Sequence, residues 1–149
     1  MSDSFLFYVP TDPGFQPTPH SAEAAKALLS EYFPDAESVE AEFFDSPEFF
    51  DGASNWSGVT CHVCGADAGP WWTDAMEKAA ASQFDTLTLT SPCCKNHISL
   101  NDLNYGWPTA FGRFALEAEN PDSEGLPHEQ LALLEATLGC TLKEIPAHV

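Results

Sequence analysis

Phe5-Leu6-Phe7-Tyr8-Val9, closed by Pro10, is a nearly continuous apolar run too short for a helix, and it reads as a strand buried within a sheet. The residues that follow it define its surroundings. Thr18-Pro19 supplies an N-cap followed by proline at the first helical position. Ala22, Ala25, Leu28, Leu29, Tyr32 and Phe33 then recur at helical spacing along one face until Pro34 stops the helix. Val39-Glu40-Ala41-Glu42-Phe43 alternates strictly, as a half-buried strand does, with both carboxylates facing outward. Residues 1–45 therefore read as a βαβ unit.

The C-terminal segment repeats this plan. Asp12-Pro13 recurs as Asn120-Pro121 and Pro19-His20 as Pro127-His128 at one constant displacement, which also aligns Leu6 with Phe114 and Tyr8 with Leu116. Phe114, Leu116 and Ala118 alternate along a strand. Leu131, Leu134 and Leu138 stripe a helix from Pro127 that Gly139 is placed to end, and Thr141 to Ile145 form a last strand with Pro146 suited to a sheet edge. The expected fold class is α+β: a ferredoxin-like pair of βαβ units at 1–45 and 111–149, with residues 46–110 inserted between them in one domain.

The insertion carries four of the five cysteines. Cys61-His62-Val63-Cys64-Gly65 is a CxxCG knuckle, a tight turn that presents two sulfurs to one ion, with glycine available for a left-handed backbone. Pro92-Cys93-Cys94-Lys95-Asn96-His97 is a second cluster, in which Cys94 and His97 have the same two-residue gap. Cys61, Cys64, Cys94 and His97 are the preferred ligands of a structural zinc, in a zinc-ribbon-like insertion. Cys93 competes with His97 for the fourth position, because adjacent cysteines can both turn inward only with some strain. A helix bearing Trp72, Met76, Ala79, Ala80 and Phe84, and a strand at Thr86 to Thr90, carry the chain between the clusters. Cys140 reads as core.

Rival chemistries fit less well. A redox CxxC needs its first cysteine at a helix start, and Gly65, Gly69 and Pro70 follow Cys64 instead. A zinc deaminase needs His-x-Glu and Pro-Cys-x-x-Cys, and neither is present. There is no phosphate-binding Gly-Lys-Ser/Thr loop and no Gly-x-Ser-x-Gly elbow. His20 and His128, at the two helix starts, read as helix-terminal residues rather than an acid-base pair.

Composition narrows the range of partners. Twenty-three acidic residues face five Lys and Arg, for a formal charge of -18. A phosphate backbone is bound through Lys and Arg contacts, so nucleic acid is disfavoured, as is an anionic membrane surface. A basic protein partner would be attracted. The opening Met1-Ser2-Asp3-Ser4 has no basic n-region, no run is long enough to span a membrane, and clustered cysteines suit metal in a reducing compartment, so the expected location is the cytoplasm.

Phe43-Phe44-Asp45-Ser46-Pro47-Glu48-Phe49-Phe50-Asp51-Gly52 interleaves rings with carboxylates and is expected to include a loop. If exposed, Asp45, Glu48, Phe49, Phe50 and Asp51 form a partner-binding patch. Otherwise the rings roof the core.

From Pro92-Cys93-Cys94 through Ser99-Leu100-Asn101-Asp102-Leu103-Asn104-Tyr105, Trp107-Pro108 and Phe111-x-Arg113-Phe114, the chain resembles a group of small bacterial proteins with no assigned activity. In that group a CxxCG knuckle precedes a CC motif and a Ser-Leu-Asn-Asp-Leu stretch. The resemblance covers roughly the middle third and implies a bacterial cytosolic protein. Lys95 stands where the group has glycine, which keeps both His97 and Cys93 open as the fourth ligand.

The functional expectation is a non-enzymatic, zinc-stabilised acidic interaction module, of the inhibitor or immunity type, acting on a basic protein. The alternative is a zinc-dependent hydrolase with an open metal position and Asp67, Asp74 or Asp102 as base. A third reading is an oxidoreductase using Cys61 and Cys64.

Overall fold

A computed structural model describes residues 3–149; Met1 and Ser2, part of the opening segment considered above, lie outside the described residues. The chain is mixed α+β. In order it forms β1 (Ser4–Pro10), α1 (Pro19–Tyr32), β2 (Ser38–Phe50), β3 (Val59–Thr60), α2 (Gly69–Ala80), β4 (Thr88–Thr90), β5 (His97–Ser99), a 3-10 turn (Leu100–Asp102), β6 (Asn104–Tyr105), β7 (Ala110–Glu119), α3 (His128–Leu138) and β8 (Leu142–His148). Four strands make an antiparallel sheet in the order β2-β7-β1-β8. Pairs β3-β6 and β4-β5 stand apart as two-stranded ladders.

One face of the large sheet is covered by helices. Leu6, Tyr8, Phe114, Leu116 and Ala118 of the central strands meet Ala22, Ala25 and Leu29 of α1 and Leu134 and Leu138 of α3 in one buried cluster. The local signals act as expected. Thr18 Oγ1 accepts from the Ser21 N–H at 3.1 Å and caps α1, whose N-terminal end also carries the proline. Gly139, at φ +82°, adopts the left-handed cap of α3. Tyr8 is fully buried, and its hydroxyl donates to Glu144 Oε2 at 2.7 Å. Burial, reinforced by this carboxylate, pushes the Tyr8 hydroxyl far above its ordinary range.

The opposite face carries no helix in its small buried cluster. Val9, Ala110, Ala115 and Ile145 are joined there by Phe7, Phe44 and Phe50, all from strands. Beside these rings the register sets Glu40 opposite Glu117 and Ser38 opposite Glu119, and Glu42 is next to them on the same face. Gly112 is required in this layer, since a Cβ there would run into the Val9 side chain.

Three elements differ from the sequence expectation. The aromatic-acidic stretch is strand through Phe50 rather than partly loop, because the register shift between Phe43 and Glu48 takes up the extra residues. Pro47, buried inside that irregularity, is not required to donate to the ladder. The helix expected to bear Phe84 runs only from Gly69 to Ala80, with Pro70 at a first-turn position where its missing N–H is harmless, and Phe84 lies beyond it because Gln83 and Phe84 take φ of +56° and +59°. The strand expected at Thr86 to Thr90 begins at Thr88, after Leu87 has turned into the insertion's core.

That core joins the insertion to the sheet. Val59, Ala68, Ala79, Leu87, Ile98, Leu100 and Leu103 pack with Phe111 of β7. Phe49 closes the junction, 4.8 Å from Phe111 and 6.0 Å from Trp72 between ring centroids. Trp72 Nε1 donates to the Tyr105 hydroxyl, which donates to the Leu100 carbonyl at 2.7 Å. Trp107 Nε1 reaches the Pro146 carbonyl at 2.6 Å on the edge strand β8. Trp56, by contrast, leans on Trp72 at a tilt of 38° with part of its surface exposed.

Candidate metal centre

Two short turns face each other at the end of the insertion. The first follows β3: the Cys61 N–H donates to the Ala66 carbonyl at 2.8 Å and the Gly65 N–H to the Cys61 carbonyl at 2.9 Å, with Gly65 at φ +76°. The second follows β4: the Ser91 N–H donates to the Asn96 carbonyl at 2.8 Å and the Lys95 N–H to the Ser91 carbonyl at 2.9 Å, with Lys95 at φ +61°. A lysine in the left-handed region carries a steric cost that glycine would not.

These turns bring Cys61, Cys64, Cys93 and Cys94 together, each sulfur within 4.8 Å of the others. Four sulfurs held about 2.3 Å from a tetrahedral ion lie roughly 3.8 Å apart. The Cys61 and Cys94 sulfurs are 3.9 Å apart, so the cluster has the dimensions of a tetrathiolate metal site. It does not have those of a disulfide, and all five cysteines are free. The four thiols can hold a metal ion.

The surroundings favour thiolate at two positions. Hydrogen bonds from the Ser91 hydroxyl and then the Asn96 side chain, at 3.1 and 3.2 Å, draw the Cys94 thiol down to about 6. Backbone N–H groups of Cys64 and Val63 lower Cys61. Cys93 is pushed up to about 12, first by burial and then by the neighbouring thiols. Ionising one sulfur therefore disfavours the next until a cation is present.

His97, the preferred fourth ligand from spacing, does not join this group. It lies in β5, exposed and paired with Thr90, where the chain has already left the turn. Cys93 converges with the other sulfurs in its place. Cys140 is remote in sequence, packs at the edge of the helix-covered core, and is raised to about 11 by burial. Ser91 and Asn96, which touch Cys94, carry no ligand signal in the sequence, where only Cys and His mark ligands; Asn96 is suited there to a left-handed turn position, which Lys95 takes instead.

The other proposed residues are dispersed. Phe49 is packed in the insertion junction, and Phe50 lies 5.4 Å from Phe7 on the helix-free sheet face. Asp45 and Glu48 are exposed, while Asp51 Oδ1 accepts from the Ala53 N–H at 3.0 Å. His20 and His128 are exposed at their helix starts. A second group, Asp3, Glu37 and Glu119, is tied by Asn120, whose amide donates to Asp3 and Glu37 at 3.1 and 3.0 Å. None of the helices is long and apolar enough to cross a membrane among the described residues. No protein-family model matches the chain, and neither a curated protein nor a solved structure matches it.

Proposed function

We propose that the chain is an acidic protein-interaction module whose middle section is fastened by structural zinc and whose binding surface is the helix-free face of the four-stranded sheet. The observation that carries the binding surface is the register of carboxylates there. Like charges placed directly opposite across a ladder oppose folding, yet Glu40 faces Glu117 with Glu42 and Glu119 beside them. Burial, then Glu42, Glu119 and Glu40 in turn, raise the Glu117 carboxyl. The one ion pair among the described residues, Lys26 with Glu40 at 3.4 Å, leaves this group far from neutral. A basic protein surface would relieve the repulsion, and half-buried Phe5, Phe7 and Phe50 offer it an apolar border.

A zinc identity is supported by four convergent thiols, the donor set most suited to that ion in a closed site. Four protein ligands leave no position for a reactive water, which favours the fastening role over hydrolysis. Thiol ligation also suits a reducing, cytoplasmic setting. The strand order β2-β7-β1-β8 supports a ferredoxin-like pair of βαβ units with a zinc-ribbon-like insertion. So does one detail of register. Tyr8 and Leu116, equivalent in the sequence repeat, face each other across the central pair, as a local two-fold axis requires.

Affinity capture followed by titration of the purified partner tests the binding surface. Reversing the exposed pair Glu40→Lys and Glu42→Lys should abolish a salt-sensitive interaction, whereas reversing Asp45 and Glu48 should leave most of it. Equal loss in both variants, or no basic partner, overturns the assignment.

A further inference from the structure

We infer that Ser91 occupies a vacated ligand position of a two-fold related metal site, and that Cys93 supplies the missing thiolate from inside the same turn. The inference rests on the reading of the four cysteines as a metal centre.

The two turns are equivalent residue for residue. Thr60-Cys61-His62-Val63-Cys64-Gly65-Ala66-Asp67 aligns with Thr90-Ser91-Pro92-Cys93-Cys94-Lys95-Asn96-His97 without a gap. Each of the two defining hydrogen bonds recurs at the same place with the same length, and the left-handed residue falls at Gly65 in one turn and Lys95 in the other. Thr60 bridges Asp67 just outside the first turn, as Thr90 pairs with His97 outside the second. Cys64 thus corresponds to Cys94, and Asp67 to His97, which explains why a histidine at ligand-like spacing points to no sulfur cluster. The residue corresponding to Cys61 is Ser91.

Ser91 behaves as a residue in a ligand's place. Both Cys61 and Ser91 are fully buried, although most of the turn around each is exposed. A buried hydroxyl requires a partner. Ser91 Oγ finds the Cys94 sulfur at 3.1 Å and also accepts from the Asn96 N–H at 3.2 Å, so it orients a ligand in place of being one. The second turn would then hold the ion by one sulfur, and Cys93, one residue before Cys94, restores the count to four. Its counterpart in the first turn, Val63, is exposed and carries no donor. The site is therefore asymmetric: three ligands occupy repeated positions and the fourth does not.

The test uses cobalt(II) as probe, whose absorption bands report thiolate number and tetrahedral geometry, with affinity read by competition against a chelator. Cys93→Ser should weaken binding by more than the roughly 10–100-fold expected for loss of an outer-shell partner. Adding Ser91→Cys to that variant should restore a four-thiolate spectrum and most of the affinity. A double variant that is folded and binds no better than Cys93→Ser overturns the inference. A second measurement does not depend on the double variant. In zinc-loaded wild type, Cys93 should resist iodoacetamide; in zinc-loaded Ser91→Cys, mass-spectrometric mapping should find it alkylated. Protection of Cys93 in both also overturns the inference. Failure of the wild type to bind either metal would instead overturn the metal centre itself.

Discussion

If the four thiols hold zinc as proposed, removing it should open the two turns and leave the large sheet closed. The turns are held by few bonds: β3-β6 pairs two residues on each strand and β4-β5 pairs three. Ladders of that size do not stand alone in water. The sheet is different, because β1 lies between β7 and β8 and buries Leu6 and Tyr8 under two helices. For a group whose exposure requires the site to open, bound ion adds RT ln(1 + [L]/Kd), about 2.7 kcal/mol at 100 times Kd. That corresponds to about 100-fold slower amide exchange at Cys61, Gly65, Ser91 and Lys95, the four N–H groups bonded within the turns. Native-state hydrogen exchange at several free zinc concentrations is the assay. Each tenfold rise in zinc should slow these amides about tenfold, while those of β1 and β7 stay level. A zinc-independent rate at the turns, or the same slope in β1, would refute the reasoning.

Two further perturbations probe the sheet. Tyr8→Phe removes a hydrogen bond to a carboxylate and should cost about 2 kcal/mol, or roughly 4–8 °C in thermal midpoint. Because folding raises the Tyr8 hydroxyl above its ordinary value of 10.0, this contribution is whole below pH 10 and is lost as pH rises beyond it; circular dichroism melts at pH 7 and above 10 check both points. Glu117→Gln should stabilise the free protein at pH 7 by about 0.5 kcal/mol, since it removes a carboxylate facing Glu40. Folding raises the Glu117 carboxyl, so its ionised form opposes folding at neutral pH; the gain should shrink on acidification and in high salt, as urea titrations would show.

Much of the fold was legible because its signals are local. Thr18-Pro19, Gly139 and the alternation Phe114-Leu116-Ala118 each act through bonds or faces within a few residues, and each sits where the pattern placed it. The misreadings arose where a distant partner decided the outcome. Ser46 and Pro47 resemble a chain break when read alone; β7 keeps the strand going past them by absorbing the surplus in an irregularity. Phe84 continues the apolar spacing of α2, yet it lies beyond the helix with left-handed backbone, its ring 5.5 Å from that of Phe111 on β7.

The cysteine cluster shows the same division within eight residues. Spacing marks three of the converging thiols, because Cys and His are counted by the gaps between them, and a gap of two residues joins Cys94 to His97 as readily as Cys61 to Cys64; Cys93 enters only as the rival of His97. Counting gaps assumes that each turn begins with a ligand. The second turn begins with Ser91, which carries no thiol, yet its main-chain N–H and carbonyl make the same two hydrogen bonds as those of Cys61. Once the turns are aligned by Thr60 and Thr90, rather than by sulfur, His97 falls on a strand and Cys93 falls inside. The conformation that a turn repeats is therefore the firmer guide to which thiols converge, and the position of a sulfur is free to shift by two residues within it.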